Sequence, residues 1–319
     1  MKEIYSTKVF EEGFIPSVHA STVLNIGENE FLCAFFGGTE EGKDDVKIWL
    51  SRFSEGKWSQ PQIVAVGDNV PCWNPVLFEY EGKIMLFYKV GKPIPQWYTM
   101  LIESTDGGRT WSEPRELVEG DTGGRGPVKN KAIRLSDGRI CAPASIETKT
   151  EWDCFTDTSS DGGKTWQRSE FVPFDHENNE GKGIIQPTLW EDGDKIFMLT
   201  RSTVSHIMRS ESSDGGKTWS PAEKTELPNN NSGIDCVKLN DGKIVVIYNP
   251  VTGRHGDRNI IGISESADNG KSFSPCTIIE KDDDTDAEFS YPAIICDDKY
   301  IYTTYTHYRK NIMFRIFEI

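Results

Sequence analysis

The segment SSDGGKTW, residues 159–166, decides the fold because near copies of it recur along the chain at an almost constant spacing. The other copies are STDGGRTW at 104–111, SSDGGKTW at 212–219, SADNGKSF at 266–273 and, without the aspartate, SRFSEGKW at 51–58. Their starts at 51, 104, 159, 212 and 266 are 53, 55, 53 and 54 residues apart. A step of this size divides the 319 residues into about six units.

A second set of turns runs in phase with these boxes. The turns are EGKI at 81–84, SDGRI at 136–140, EDGDKI at 191–196 and NDGKI at 240–244. Apolar runs rich in β-branched and aromatic residues flank them, and no segment has sustained helical periodicity. Each unit is therefore predicted to contain four antiparallel strands, A to D, in which the second set of turns joins A to B and the box joins C to D.

Six units of four strands predict an all-β fold, a six-bladed β-propeller that forms one domain over residues 1–319. The last unit has strands near 288–295, 300–307 and 311–319 but no box and no fourth strand. Residues 3–10 can supply that strand. Pairing of the N-terminal segment with the last blade would close the ring and remove its free edge.

The box aspartates are interpreted as structural. An aspartate on a tight turn accepts hydrogen bonds from nearby backbone N–H groups, and the glycine that follows adopts positive φ. The aromatic residue that ends each box is expected to pack between blades. A catalytic group is needed once, whereas this aspartate occurs four times, as Asp106, Asp161, Asp214 and Asp268.

Composition restricts the partners and the compartment. A formal charge of −15 disfavours nucleic acid and anionic membranes as partners. No stretch is apolar enough to span a bilayer and the start, MKEIYSTKVF, lacks the apolar core of a secretory signal, so a cytoplasmic location is expected. The seven scattered cysteines form no metal-binding motif, so no metal and no cofactor are predicted. The oligomeric state stays open.

The face opposite the boxes is the predicted position of the working site. The starts of A strands and the ends of B strands meet there, at the mouth of the central channel. Cations collect at this mouth although the molecule is strongly negative, which favours a small anionic ligand such as an acidic sugar. Its predicted ligand-binding residues are Arg201, Lys129, Lys131, Trp73, Asn74, Gln186, Asp235, His307 and Arg309, with Trp73 or Trp97 offering an apolar face.

Catalytic candidates come from the same mouth. Asp45, on the loop between the second and third strands of blade one, can protonate a leaving oxygen. Tyr291, beside Glu288 at the start of the last blade, can act as a nucleophile. Arg201 ends the buried run KIFMLTR and therefore needs a partner. His19 is a candidate acid or base near neutral pH.

Seven segments resemble a sialidase-related branch of the sialidase superfamily, whose members carry these Asp boxes: SVHASTVL, FFGGTEEGKDDVKIWLSR, CWNPVLF, GPVKNK, IIQPTL, NSGIDCVKL and EFSYPAI. The resemblance implies that Asp45 is the acid/base, that Tyr291 is the nucleophile and that Arg201 is one of three arginines that hold the substrate carboxylate.

Three positions depart from the family pattern. Phe14, Ile15 and Pro16 stand where the family has Arg-Ile-Pro, and Gln186 stands where a glutamate polarises the tyrosine. A third arginine has only the candidates Arg254 and Arg309. Glu288 is expected to replace the missing glutamate in part.

Three functions remain open from the sequence. The first is a sialidase-like glycoside hydrolase that removes a terminal acidic sugar. The second is a polysaccharide lyase, in which Arg201 with Lys129 or Lys131 neutralises a uronate carboxylate while Tyr291, His19 or His307 removes the α-proton. The third is a sugar-binding propeller without catalysis.

Overall fold

The computed structural model describes residues 1–319 and contains six antiparallel sheets, five of them built from consecutive strands and the sixth from the first strand and the last three. The predicted six-bladed propeller is thus confirmed. Blade one has a fifth strand because two short strands pair with the same neighbour. A single 3-10 turn, Ile94–Gln96, is the one helical element. No helix is both long and apolar enough for a bilayer span.

Strand β1 is Lys2–Lys8 and precedes the first blade. Blade one contains β2 (Ser17–Gly27), β3 (Glu30–Gly38), β4 (Lys47–Ser54), β5 (Lys57–Trp58) and β6 (Gln62–Ala65). Blade two contains β7 (Cys72–Tyr80), β8 (Lys83–Val90), β9 (Tyr98–Ser104) and β10 (Arg115–Glu116). Blade three contains β11 (Ile133–Arg134), β12 (Ile140–Glu147), β13 (Trp152–Ser159) and β14 (Gln167–Arg168).

Blade four contains β15 (Ile184–Asp192), β16 (Lys195–Ser202), β17 (His206–Ser212) and β18 (Glu223–Pro228). Blade five contains β19 (Asp235–Lys238), β20 (Ile244–Tyr248), β21 (Ile260–Ser266) and β22 (Thr277–Lys281). Blade six contains β23 (Phe289–Cys296), β24 (Tyr300–His307) and β25 (Asn311–Glu318).

The N-terminal strand completes blade six. Strand β1 pairs antiparallel with β25, from Lys2 opposite Glu318 to Lys8 opposite Met313. The outer edge of the last blade is therefore formed by the first strand of the chain. This pairing joins the two ends of the sequence and closes the ring without an unpaired long edge.

The box turns have the structure predicted for them. In blade three, Asp161 Oδ1 accepts hydrogen bonds from the backbone N–H groups of Lys164 and Thr165, at 3.0 and 2.9 Å. The Gly163 N–H donates to Ser159 Oγ at 2.8 Å. Gly163 has φ +85°, and a Cβ there would lie 2.3 Å from Met85 of the neighbouring blade, so this position requires glycine. The box thus stabilises the turn and lets it approach the next blade.

Strand starts at the opposite face are bulged. The register of β2, β7, β15 and β23 shifts within the first few residues. At these shifts a non-glycine residue has positive φ, between 34° and 55°, namely Ala20, Asn74, Gln186 and Tyr291. This backbone region is costly for residues with a side chain and often occurs at functional sites. A bulge also redirects the side chain that it carries.

Candidate active site

Tyr291 is the centre of a hydrogen-bonded cluster at the mouth of the channel. Its hydroxyl accepts a hydrogen bond from Arg201 Nη1 at 2.6 Å and lies 3.5 Å from Gln186 Nε2. Tyr291 begins blade six, whereas Gln186 and Arg201 are on the first two strands of blade four. Ring closure therefore brings together segments about a hundred residues apart in the chain.

Arg201 is held by neighbours and still has a free edge. Its Nε donates to Asn231 Oδ1 at 2.8 Å, and its Nη1 also donates to Gln186 Oε1 at 3.0 Å. The side chain is buried, as expected from its position at the end of an apolar strand. Nη2 makes no hydrogen bond within the protein. A guanidinium with one unused edge is suited to bind a carboxylate.

His19 lies directly against Tyr291. The two ring centroids are 4.1 Å apart, and His19 Nδ1 shares a hydrogen bond with Thr306 Oγ1 at 2.8 Å. Burial lowers the pKa of His19 well below its usual value, and Arg309, Arg258, Arg201 and Lys129 lower it further. The imidazole is therefore neutral at pH 7 and is a weaker base than a free histidine.

Arg258 is a second cation at Tyr291 that sequence reasoning missed. Its guanidinium carbon lies 5.7 Å from the centre of the Tyr291 ring, and its Nη1 donates to Glu288 at 3.0 Å. The residue lies in the irregular segment between β20 and β21, where no repeat marks its position. Arg254, a candidate for the third arginine, is instead exposed and paired with Glu180 at 2.5 Å. Of these two arginines, it is therefore Arg258 that contacts Tyr291.

The expected support of Tyr291 by Glu288 is contradicted. Glu288 accepts from Arg258 at 3.0 Å, from Arg309 Nε at 2.7 Å and from Ser290 at 2.5 Å. Burial alone would raise the pKa of Glu288, but the hydrogen bond and charge of Arg309, followed by Arg258, hold the pKa below its usual value. Glu288 is a counter-ion for two arginines and cannot also act as the base of Tyr291.

Lys129 is buried behind Tyr291. Its Nζ donates to Asn130 Oδ1 and to the carbonyl oxygen of Ile234, both at 2.8 Å, and to the carbonyl oxygen of Pro292. All three ammonium protons are thus used by the protein, so Lys129 is not free to bind a ligand. Desolvation lowers the pKa of Lys129 to about 7. Through these hydrogen bonds the Lys129 side chain links blades three, five and six next to Tyr291.

Lys131 and Asp235 form a pair between blades instead of a ligand site. Lys131 Nζ donates to both oxygens of Asp235 at 3.0 Å. Asp235 also accepts from Thr188 Oγ1 at 2.7 Å and from the N–H of Ile294 at 3.0 Å. The charges of these two residues are thus satisfied by each other and by their neighbours, and their predicted contacts with a substrate stay a prediction.

Trp73 does not offer an open aromatic face. Trp73 and Trp97 are 7% and 4% exposed, and their ring centroids are 5.9 Å apart. Gly42 lies over Trp73, since a Cβ there would be 3.2 Å from the indole. The loop of blade one covers this tryptophan, which the sequence did not indicate. Asn74, at the bulge of β7, is 4% exposed.

His307 is turned away from Tyr291. Its Nε2 lies 3.2 Å from Glu280 on the outer strand of blade five, and Arg315 pairs with the same carboxylate at 3.0 Å. The predicted ligand contact of His307 is therefore not found at the cluster. Arg309, next along the chain, does reach the mouth, where it pairs with Glu288 and with Glu41 on the loop of blade one.

Asp45 lies on the blade-one loop and is hydrogen-bonded to Thr39 at the base of that loop. One carboxylate oxygen accepts from the backbone N–H of Thr39 at 2.9 Å and from the hydroxyl of Thr39. The side-chain hydrogen bond of Thr39 holds the pKa of Asp45 below its usual value. In this loop conformation Asp45 is therefore a carboxylate, the form that accepts a proton, and it makes no hydrogen bond to Tyr291 or Arg201.

Glu147 is a further carboxyl group at the mouth that sequence reasoning missed. It is the last residue of β12 and pairs with Trp152, whose ring centre lies 6.0 Å from the Arg201 guanidinium. Burial raises the pKa of Glu147, although Arg201, Lys182 and Lys89 act in the opposite direction. The sequence signal for Glu147 was its position at the end of the second strand of blade three, since Arg201 lies near the end of the second strand of blade four.

Comparison with known families gives one match over most of the chain. The profile of a family described as "BNR repeat-like domain" matches residues 29–303. No curated protein matches the chain.

Several solved structures share the fold at low sequence identity. A protein of unknown function from Dyadobacter fermentans DSM 18053 is 16% identical, with a TM-score of 0.80 over 99% of this chain and 98% of that one. Trypanosoma rangeli sialidase is 16% identical, with a TM-score of 0.71, and the match covers 99% of this chain but 58% of that one. The NanB sialidase from Streptococcus pneumoniae is 13% identical, with a TM-score of 0.74 over 98% and 70% of the two chains. At these identities the likeness establishes the fold alone.

Proposed function

Since the chain belongs to the BNR repeat-like domain family and has a sialidase-like propeller, we propose that it is a glycoside hydrolase that removes a terminal acidic sugar from a glycan. The fold supports a glycoside-hydrolase-like or carbohydrate-binding role. The observation that carries the proposal is the contact of the Tyr291 hydroxyl with Arg201, whose Nη2 is unused, beside Arg258. This arrangement offers a nucleophile and a carboxylate anchor at one point.

The proposed reaction has two steps that use Tyr291 and Asp45. In the first, the Tyr291 oxygen attacks the anomeric carbon, the glycosidic C–O bond breaks, and the leaving oxygen takes a proton from an acid. In the second, water attacks the same carbon, gives up its proton to the conjugate base, and releases Tyr291. Arg201 and Arg258 hold the sugar carboxylate through both steps. Asp45 serves as the acid/base once substrate draws the blade-one loop inward and separates it from Thr39. Loss of that hydrogen bond removes the cause of its lowered pKa, so that Asp45 can take up the proton that it gives to the leaving oxygen and regain it from water in the second step.

Loss of the Tyr291 proton needs a base, and Gln186 cannot provide one because a carboxamide does not accept a proton at neutral pH. His19 is the group of basic character that packs on Tyr291, and it is neutral because burial lowers its pKa. In the proposed mechanism His19 takes the Tyr291 proton in place of the missing glutamate. Because its lowered pKa makes it a weak base, the charges of Arg201 and Arg258 beside the Tyr291 oxygen must favour the transfer. Glu288 contributes indirectly, as the counter-ion of Arg258 and Arg309.

The carboxamide of Gln186 favours a second candidate function, elimination by a polysaccharide lyase. A uronate lyase needs a cation at the sugar carboxylate and a base at the adjacent carbon, but no carboxylate beside the tyrosine. Here Tyr291 or His19 would remove that proton while the C–O bond at the neighbouring carbon breaks and a double bond forms. Lys129, Lys131 and His307 do not serve in this reaction, because their polar atoms bond elsewhere.

Chromogenic sialosides and uronides, together with uronate-containing polysaccharides, distinguish these functions. Hydrolysis releases the chromophore without a new ultraviolet absorbance, and elimination produces an unsaturated sugar that absorbs in the ultraviolet. Mass spectrometry after incubation with a 2,3-difluorinated acidic sugar should find a covalent adduct on Tyr291 if hydrolysis is correct. Binding of acidic sugars without any turnover would refute both enzymes and assign a carbohydrate-binding role.

A further inference from the structure

A group of metal-ligating side chains lies on blade three, outside the Tyr291 cluster. Glu151, Asp153 and His176 each place one nitrogen or oxygen atom within 4.8 Å of the others. His176 Nε2 is 2.9 Å from Asp153 Oδ1. The three residues come from two separate parts of the chain, so folding is what brings them together.

Local structure holds these side chains in place. Glu151 and Asp153 flank Trp152 at the start of β13, and residues two apart on an extended chain point to the same side. His176 comes from the segment between β14 and β15. Its ring packs edge-on against Phe174, with centroids 4.9 Å apart, and a Cβ on Gly183 would lie 2.9 Å from the imidazole. The orientation of His176 is therefore fixed before any ligand binds.

Two of the three groups bond to each other and the third has no partner. Asp153 has His176 as its partner, whereas Glu151 forms no ion pair with any residue of the protein. One oxygen of each carboxylate and one ring nitrogen of His176 lie within 4.8 Å of one another. A divalent cation placed between them could take all three as ligands.

We propose that Glu151, Asp153 and His176 bind a divalent metal ion of the zinc class. One imidazole nitrogen and two carboxylate oxygens suit Zn²⁺ or Mn²⁺, whereas Ca²⁺ and Mg²⁺ prefer sites made of oxygen alone. Glu151 is exposed, so rotation of its side chain can close the remaining distance. Three protein ligands leave at least one coordination position for water or a sugar oxygen.

The position of the site connects it to the mouth. Trp152, between the two acidic ligands, has its ring centre 6.0 Å from the Arg201 guanidinium. The backbone N–H of Trp152 donates to the carbonyl oxygen of Lys182 at 2.7 Å. A bound ion would join the His176 segment to the start of β13. It would thereby stabilise the wall that carries Trp152, independently of which reaction the cluster performs.

The test uses full-length protein freed of metal with a chelator and titrated calorimetrically with Zn²⁺, then with Mn²⁺, Ca²⁺ and Mg²⁺. We expect one Zn²⁺ per chain, with Mn²⁺ weaker and Ca²⁺ and Mg²⁺ much weaker. Glu151→Gln and His176→Ala should each reduce Zn²⁺ affinity at least ~10-fold. His255→Gln, which removes an exposed histidine elsewhere, is the matched control and should leave affinity unchanged.

Two further measurements keep the outcome clear. Anomalous scattering at the zinc edge should show a peak between these three residues and none there in His176→Ala. Because Glu151 is exposed, Glu151→Gln should fold normally, which circular dichroism can verify. Absence of Zn²⁺ binding by the wild type, or affinity equal to that of the wild type in both Glu151→Gln and His176→Ala, would overturn the proposal.

Discussion

On the face of the ring that carries the boxes, here called the lower face, four box turns repeat nearly the same hydrogen bonds. At the channel mouth, on the opposite face, equivalent strand positions hold different residues from blade to blade. Thr110 and Ser272 donate their backbone N–H groups to the box aspartates Asp106 and Asp268 at the same distance, 2.9 Å. The mouth positions that correspond to Arg201 are Phe36, Lys89, Ser145, Asn249 and Thr306. Repetition accompanies a purely structural role, and variation marks the face where chemistry can differ.

The mouth residues nevertheless share one structural task. Lys89 donates to the carbonyl oxygen of Arg125 at 2.7 Å, and Asn249 donates to that of Phe289 at 2.7 Å, so each reaches the next blade. Arg201 does the same through Asn231, and in addition contacts Tyr291. The structural bond of Arg201 uses Nε. The functional assignment therefore concerns its other two nitrogens, Nη1 and Nη2.

The largest expected effect is that of Tyr291→Phe at the mouth. Loss of the nucleophilic oxygen should reduce turnover by about a thousandfold or more, with little change in the melting temperature, because the aromatic ring is kept. Tyr300→Phe, which removes a hydroxyl that makes no hydrogen bond, is the control. If Tyr291→Phe kept most of the activity, the nucleophile would have to be another group.

Gln186→Glu should produce the next largest effect. A carboxylate 3.0 Å from Arg201 and close to Tyr291 supplies a stronger base than His19, so hydrolysis should increase, on the order of tenfold. The same change adds a negative charge beside the sugar carboxylate and should slow elimination. Initial rates on a sialoside and on a uronate polysaccharide distinguish hydrolysis from elimination. A decrease in hydrolysis would count against a tyrosine nucleophile.

On the lower face, Asp161→Ala should change stability and leave activity intact. The substitution removes the hydrogen bonds to Lys164, to the Thr165 N–H and to the Thr165 hydroxyl, and should cost about 1–2 kcal/mol of unfolding free energy. Urea unfolding and turnover measured on the same preparation test this. A large loss of activity at unchanged stability would break the distinction between the two faces.

A pH dependence of stability is also expected from two buried lysines. Desolvation lowers the pKa of Lys129, and likewise of Lys89, to about 7 in the folded protein, whereas the unfolded chain keeps these protons to about pH 10. Between these values the unfolded state binds more protons, so their contribution to stability increases as the pH rises from about 7 towards 10. Lys129→Met should reduce that slope in urea midpoints measured from pH 6 to 9, and an unchanged slope would show that Lys129 stays charged.

The architecture could be predicted because its signals are local and repeated. The box at 159–166 and its copies report turn geometry directly, and their step sets the number of blades. The pairing of β1 with β25 followed from a missing strand in the last unit.

Side-chain partners at the mouth could be predicted only in part. The strand positions of Tyr291, Gln186 and Arg201 brought them to one face. The bonding of Glu288, which lies just before β23, depends on which way its side chain turns. Arg258 lies in an irregular segment without a repeat, so periodicity gave no information on it. The burial of Trp73 results from a loop that crosses from blade one, and such contacts leave no pattern in the sequence.

A crystal structure of the protein soaked with an acidic sugar tests the central claim most directly. The account predicts the sugar carboxylate within hydrogen-bond distance of Arg201 Nη2 and near Arg258, with the anomeric carbon next to the Tyr291 oxygen. A sugar bound on the outer rim, or a carboxylate that contacts neither arginine while the cluster stays intact, would contradict it.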